Sequence, residues 1–503
     1  MELLVLVLLA LSISYLVSTT LYNLFFHPLH NFPGPKLAAA THIYEFYFDC
    51  IKSGKFIWEI QRMHEIYGPI VRINPREIHI KDPSYFAEIY SNGIQEKDPF
   101  MINVAPSPGS SFATIDHNLH RFRRAIVNPF FSKQAVVKME HIVQDKVDRA
   151  AKRLEQAKNN GTVIKTDALF SALTGDVICH YTYGESSGML ETKDMQNEFR
   201  DAVTGASVFC HFMRFFPVLV SLLESMPWFI LWLQPMYKGY FDMERKIKEQ
   251  SVNALQNAEK EQGSRTIFHA LSDPSLPAEE RTPIRLKNEA MTIVGAGTET
   301  TARVLTVGSF HLYRDGTMVR RLRDELRTVM PDPTSKASWG QLEKLPYLTA
   351  VISESLRLAH STTLRFPRVA PNKTRMYKNY IIPPGTPVSQ SIYFVHMDPD
   401  IFPEPNTFTP DRWLEASQKG ERLDRFLVPF TKGSRMCLGM KWHCVSLAYA
   451  ELYLMFATLT RHFDLEMRTS WEDIQISRDM ILGVPEKKDV LEVEAVVTAV
   501  VYE

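Results

Sequence analysis

The run Pro429-Phe430-Thr431-Lys432-Gly433-Ser434-Arg435-Met436-Cys437-Leu438-Gly439 constrains this chain more than any other stretch of its 503 residues. A phenylalanine stands seven residues before Cys437, a glycine four before, an arginine two before and a glycine two after. A cysteine buried in a core, where most free cysteines lie, needs none of these neighbours. A cysteine that offers its thiolate to a metal does need them, because the thiolate is the liganding form and has to be stabilised at neutral pH. Gly433 and Gly439 allow a tight turn and a close approach to a flat ligand. Arg435 suits an anion, its planar fork matching a carboxylate. Phe430 can cover one side of the ligand. A helical pattern follows from Met440 to about Arg461, which predicts a helix N-terminus just after Cys437, where free N–H groups and the helix dipole favour negative charge.

This run resembles the haem-binding loop of the cytochrome P450 family of haem-thiolate monooxygenases. The family pattern Phe-x-x-Gly-x-Arg-x-Cys-x-Gly is met at every defined position. The resemblance implies that Cys437 is the axial ligand to the iron of haem b (iron protoporphyrin IX), with Phe430, Gly433, Arg435 and Gly439 shaping the loop around it. A single axial thiolate pushes electron density onto iron and favours O–O cleavage.

Three further constellations extend the resemblance. Gly295 and Gly297 lie in the middle of a long apolar helical pattern, each costing about 1 kcal/mol relative to alanine, and Ala296-Gly297-Thr298-Glu299-Thr300-Thr301 resembles the family's acid–alcohol pair. That implies a groove over the haem where the backbone ladder loosens, with the Thr300 hydroxyl serving the oxygen being activated and Glu299 relaying protons from solvent. A Gly/Thr-rich packing face is the structural alternative. Glu354 and Arg357, three apart, share a helix face. With Pro410-Asp411-Arg412-Trp413, which resembles the family's Pro-Glu-Arg-Phe segment, they imply a buried Glu354–Arg357–Arg412 network that locks the core behind the haem loop. His120-Arg121-Phe122-Arg123-Arg124 resembles the family's Trp-x-x-x-Arg helix. Arg124 and Arg368 would bind haem propionates, and His120, standing where tryptophan is usual, can also donate to one.

Composition supports a large catalytic body. Hydrophobic residues make up 45% of the chain, and Lys+Arg and Asp+Glu are equal at 57 each, so the net charge is zero and no nucleic-acid footprint is present. The five cysteines are odd in number and without Cys-x-x-Cys spacing, against a disulfide framework or a zinc site. Leu3 to about Leu24 is almost wholly apolar with no lysine or arginine, long enough to cross the ~30 Å hydrocarbon core. With no basic n-region and no clear cleavage site it reads as an uncleaved anchor rather than a signal peptide. The prolines of 25–36 make a semi-rigid hinge, leaving 37–503 as the catalytic domain. Residues 68–80 read as a hairpin and 377–395 as a second strand-rich part. Helical patterns cover 134–156, 285–314, 345–358 and 440–461. The fold class is mainly α with a minor β-rich part, which the resemblance makes the cytochrome P450 fold preceded by a single N-terminal transmembrane helix.

The resemblance, closest to filamentous-fungal secondary-metabolism members with trichodiene-oxygenase-like enzymes among them, implies hydroxylation or epoxidation of a hydrophobic terpenoid or polyketide with O2. Substrate contacts would fall in Phe100–Phe112, at Ser361–Leu364 and at Ile481–Leu482, apolar segments with a few hydroxyls. Phe209 to Trp232 is interrupted by Pro217, Glu224 and Pro227 and so is not a second span; core helix packing is the structural alternative, and the resemblance places the region over the substrate entrance. No flavin or nicotinamide fingerprint is present, so electrons would come from an NADPH-dependent flavin reductase, steered by a basic rim of Arg121, Arg123, Lys432 and Lys441. The implied location is the endoplasmic reticulum membrane with the body cytosolic. Two rivals are a peroxide isomerase or dehydratase of the same fold, which needs no proton relay, and a haem-binding sensor or carrier without turnover.

Overall fold

In the computed structural model, which describes residues 2–501 other than 92, 106, 196–197, 258–265, 333 and 440–446, helices dominate and the strands form a few short sheets. Helix α1, Glu2–Leu21, continues through a wider turn to Phe26. This 25-residue apolar helix has mean hydropathy 2.2 and no buried part, and it is the one helix among the described residues long and apolar enough to cross a membrane. Pro28, Pro33 and Pro35 then keep the chain irregular until Lys36.

The predicted hairpin forms. Strands β1, Ile70–Arg72, and β2, Ile78–Ile80, are antiparallel with Ile70 opposite Ile80. They join β3, Glu96–Lys97, β4, Arg368–Val369, and β5, Pro387–Ser389, in a five-stranded sheet of order β1-β2-β5-β4-β3. The strand-rich part expected up to Val395 ends earlier, because Ile392–His396 is a helical turn. Ile392 and Val395, three apart, share the face that packs into the sheet's core. A separate hairpin, β6, Arg478–Met480, and β7, Leu482–Val484, is joined through the single residue Ile481.

The helices that carry the site are α2, His117–Val127, α3, Glu140–Asn160, α4, Thr166–Tyr183, α5, Glu198–Ser207, α6, Cys210–Phe215, α7, Pro283–Arg314, α8, Pro346–Ala359, α9, Asp411–Gln418, and α10, Leu447–His462. Helices α7 and α8 follow their predicted ranges because each has a clear start. Pro283 and Pro346 occupy the first turn, where a missing N–H costs nothing, and Thr282 caps α7 by accepting from the Arg285 N–H. The helix expected over 134–156 is two pieces instead, Lys133–Lys138 and α3, divided at Met139. The first part of the helix expected from Met440, with Lys441 and Cys444, lies outside the described residues. Helix α7 crosses the interior, with α4, α8 and α10 packed against it around one large apolar core.

Candidate active site

The Cys437 loop is a closed turn. The Cys437 N–H donates to the Phe430 carbonyl at 2.9 Å and the Ser434 N–H to the Ser91 carbonyl at 3.3 Å. Gly433 takes φ +77° with its backbone against the carbonyls of Tyr90 and Ser91, so any Cβ there would collide with main chain. Phe430 lies against Tyr449, ring centroids 5.7 Å apart. The Cys437 side chain is exposed to solvent, yet surrounding protein raises its thiol pKa, opposed by the Gly439 N–H and the Arg124 guanidinium. Gly439 closes the described part of the loop.

Beside the loop stands a group of cations, Arg368 and Arg435 buried and Lys97 and Arg124 half-buried. Strand pairing sets Lys97 directly opposite Arg368, an arrangement of like charges that destabilises a sheet. Lys97 is held well below the normal lysine range by burial and then by Arg368, Arg435 and Arg124. Burial, with Arg368 adding to it at Arg435, lowers Arg368 and Arg435 each to about 10. Burial, Arg435, Arg124 and Lys97 together push His120 to about 2. Their hydrogen bonds go to neutral acceptors. Arg435 donates to the carbonyls of Gln95, Thr114 and Ile115, Arg124 to those of Met436 and Cys437, Arg368 to that of Phe366, and Lys97 to that of Phe112. Among the described residues no carboxylate pairs with any of the four. Four clustered cations with no carboxylate bonded to them suit a dianion, and two propionates are one. The residues present therefore fit haem, for which Cys437 would be the iron ligand and this group would surround the propionates. Lys97 carries no motif and was missing from the sequence reading; only its pairing with Arg368 reveals it.

Helix α7 passes through the acid–alcohol run unbroken. Small side chains open the groove there. A Cβ on Gly295 would meet nothing within 4 Å, whereas one on Gly297 would meet Ile178 Cγ1 at 2.7 Å. Of the two glycines, Gly295 opens space and Gly297 permits α4 to pack. The Thr300 hydroxyl donates to the Ala296 carbonyl at 2.7 Å, and the Thr300 carbonyl accepts from Ser361 Oγ at 3.0 Å. Glu299 points the other way, into protein. Its Oε1 accepts from Ser171 Oγ at 2.5 Å and lies 3.1 Å from Arg200 Nε, while Arg200 also binds Asp167 at 2.9 Å. Glu299, Arg200 and Asp167 line a small cavity that also touches Asp489, whose side chain is 56% exposed. Neither Ser171 nor Arg200 has any sequence signal linking it to Glu299.

Behind the loop, Glu354 and Arg357 are both fully buried and joined at 2.7 and 3.0 Å. Arg412 Nε reaches Glu354 Oε1 at 3.1 Å, and Trp413 Nε1 donates to Oε2 at 2.9 Å. The surface rim is thinner than the sequence suggests. Arg121 is exposed, but Arg123 is bound to Glu280 and Lys432 donates to the Arg425 carbonyl.

An apolar cluster brings together the segments expected to meet substrate. Met101, Val104, Cys210 and Leu364 are buried in contact, with Met213, Phe366 and Ile481 packed on them. Outside it, Phe209, Val218, Trp228 and Trp232 are 51–83% exposed, Phe209 just before and the others on the short helices within 210–233.

A cysteine loop, a cation group beside it and an internal helix with an open glycine face fit a thiolate-ligated haem protein. Comparison places it further. The cytochrome P450 family profile matches residues 43–493. Cytochrome P450 monooxygenase aflU of Aspergillus parasiticus is 43% identical over 471 residues, 93% of both chains. Conidiogenone synthase PchP450 of Penicillium rubens is 42% identical over 479 residues, covering 94% of this chain and 95% of the relative. Cytochrome P450 monooxygenase TRI4 of Trichoderma arundinaceum is 40% identical over 479 residues, 94% and 92% of the two chains. This chain belongs to the cytochrome P450 family. It is a monooxygenase that binds thiolate-ligated haem and works with O2, a substrate and a redox partner.

Proposed function

We propose that the enzyme hydroxylates or epoxidises an apolar terpenoid or polyketide intermediate of fungal secondary metabolism. Its electrons would come from an NADPH-dependent flavin reductase at the cytosolic face of the endoplasmic reticulum. Residues 1–24 serve as the anchor, 25–36 as the hinge and 37–503 as the catalytic domain. The observation that carries the substrate reading is the Met101–Val104–Cys210–Leu364 cluster, a wall of apolar and sulfur-bearing side chains that the ion-paired Arg214 guanidinium touches at Met101 Sδ, 3.0 Å away. Such a wall suits a hydrocarbon skeleton recognised by shape. The relatives support the same reading, one of them being named a conidiogenone synthase. The isomerase reading is not favoured, since an isomerase has no use for Thr300 in an open groove with Glu299 next to it in the chain.

Bound haem supplies the oxidising chemistry, one atom of O2 going to substrate and the other leaving as water. The chain's own groups do the rest. Cys437 provides the thiolate. Thr300 Oγ, held by its donation to Ala296 O, turns its lone pairs toward the groove, and a rotation about the C–O bond offers its proton there instead. Glu299 lies one residue away at the end of the cavity that touches exposed Asp489. Protons enter by that side, and Glu299 passes them on when it leaves Arg200.

The test uses the full chain in bilayer discs with flavin reductase and NADPH. Thr300→Ala should keep the red-shifted Soret band of the reduced carbon-monoxide adduct yet divert reducing equivalents to hydrogen peroxide; fully coupled turnover would refute its role. NADPH consumption that rises with substrate separates the enzyme from a carrier.

A further inference from the structure

Seven non-glycine residues have positive φ among those described, and two of them are β-branched: Thr431 in the Cys437 loop and Ile481, at φ +70°, between β6 and β7. A β-branched residue in the left-handed region is a genuine outlier. Glycine would make the same turn without strain, and strain of this kind persists only where its surroundings impose it. The surroundings here form a closed ring. The Ile481 N–H donates to Asp479 Oδ1 at 3.1 Å, Thr363 Oγ1 donates to the same oxygen at 2.7 Å, and the Thr363 N–H donates to the Ile481 carbonyl at 3.0 Å. Asp479 is itself immobilised. It is 4% exposed, its N–H donates to the Gly54 carbonyl at 2.8 Å, and His211 Nε2 reaches its main-chain oxygen at 2.7 Å. His211 lies on α6, the helix that also brings Cys210 and Met213 to the apolar cluster.

We infer that Asp479 is a positioning residue for substrate selection. Through the ring it forms with Thr363, it holds Ile481 in the left-handed turn and so sets how far the Ile481 side chain reaches into the apolar pocket. The inference rests on the reading of that cluster as the substrate pocket. Asp479 touches no reacting atom. It acts through Ile481, and because Thr363 binds its carboxylate and His211 its main-chain oxygen, one residue ties the β6–β7 turn to the segment after α8 and to α6.

The experiment needs no knowledge of the substrate. Imidazole and 4-phenylimidazole bind haem iron through the same ring nitrogen and differ by a phenyl group that must enter the pocket. Their dissociation constants are read from the Soret shift of the haem-loaded full chain, and their ratio reports pocket shape. Ile481→Gly and Asp479→Ala should each change the ratio by about fivefold or more, the scale of a partly buried aliphatic contact. Asp479→Asn, which keeps the Oδ1 acceptor, should stay near the parent. In the Ile481→Gly background, Asp479→Ala should add nothing. If Asp479→Ala does not load haem, Thr363→Val, which removes one donor of the ring, should move the ratio in the same direction. An unchanged ratio in Asp479→Ala or Thr363→Val, or full additivity with Ile481→Gly, overturns the inference. Met101→Ala and Leu364→Ala separate the two readings: if they move the ratio and Asp479→Ala does not, the pocket stands and the clamp falls, whereas if none moves it both fall.

Discussion

Arg357 couples the core to the haem loop, and its removal should cost haem as well as stability. Its guanidinium donates five hydrogen bonds, two to Glu354 and one each to the carbonyls of His396, Pro405 and Thr407. His396 in turn accepts the Val428 N–H on Nε2 at 3.0 Å, and the Val428 carbonyl accepts from the Thr431 N–H at 3.0 Å, inside the turn that ends at Cys437. Arg357→Ala leaves Glu354 in the core with Arg412 as its one cation and neutral donors from Trp413 and Thr409. Breaking a buried pair in this way costs about 3–5 kcal/mol, a large share of the ~5–15 kcal/mol that holds a domain folded. In a body of this size 1 kcal/mol moves Tm by only ~1 °C, so the thermal shift should be about 3–5 °C, while the haem-to-protein ratio falls much further because the slack develops next to the loop. Arg357→Lys should not rescue it, since a point charge cannot serve five acceptors arranged around a planar fork. The assay is the melting curve together with the reduced carbon-monoxide difference spectrum of purified protein. Arg357→Ala with parental haem content and unchanged Tm would show that the network is not what holds the loop.

Other consequences follow from the same geometry. Lys97→Met should raise the Tm of haem-free protein by relieving the repulsion across β3 and β4, yet speed haem transfer to a scavenging acceptor protein; opposite signs in the two assays are the signature of a propionate ligand. Gly297→Ala forces a Cβ onto Ile178 and should cost about 1–3 kcal/mol in denaturant unfolding, with Ile178→Ala restoring most of it. His64 is buried with its Nε2 2.7 Å from His79 Nδ1. Burial holds its pKa at about 4, against a carbonyl hydrogen bond that raises it. The unfolded chain therefore binds a proton there that the folded chain refuses, and stability should fall as pH drops from 6.5 toward 4. His64→Gln should remove up to one proton from that dependence, about 1.4 kcal/mol per pH unit.

Local pattern made the helices legible where a proline or a cap marked their ends, as at Pro283 and Pro346, and the Cys437 loop was legible because its conformation demands specific residues at fixed spacing. What escaped the sequence depends on contacts between distant segments. Lys97 joins the cation group only because β3 pairs with β4 across some 270 residues. Ser171 and Arg200 reach Glu299 only after α4 and α5 pack on α7. The two glycines of α7 look alike in sequence and differ in role, since the distinction is made by Ile178. Periodicity also misread 392–395, where β-branched and aromatic residues sit in a helical turn because their three-residue spacing meets the sheet core.

The central claim is that Cys437 ligates haem iron as a thiolate. The measurement that tests it most directly is the absorption spectrum of the reduced carbon-monoxide adduct in the parent chain and in Cys437→Ser, at matched haem content. The account predicts a strongly red-shifted Soret band in the parent and none in the variant. A parent without that band, or a variant that keeps it, would contradict the assignment.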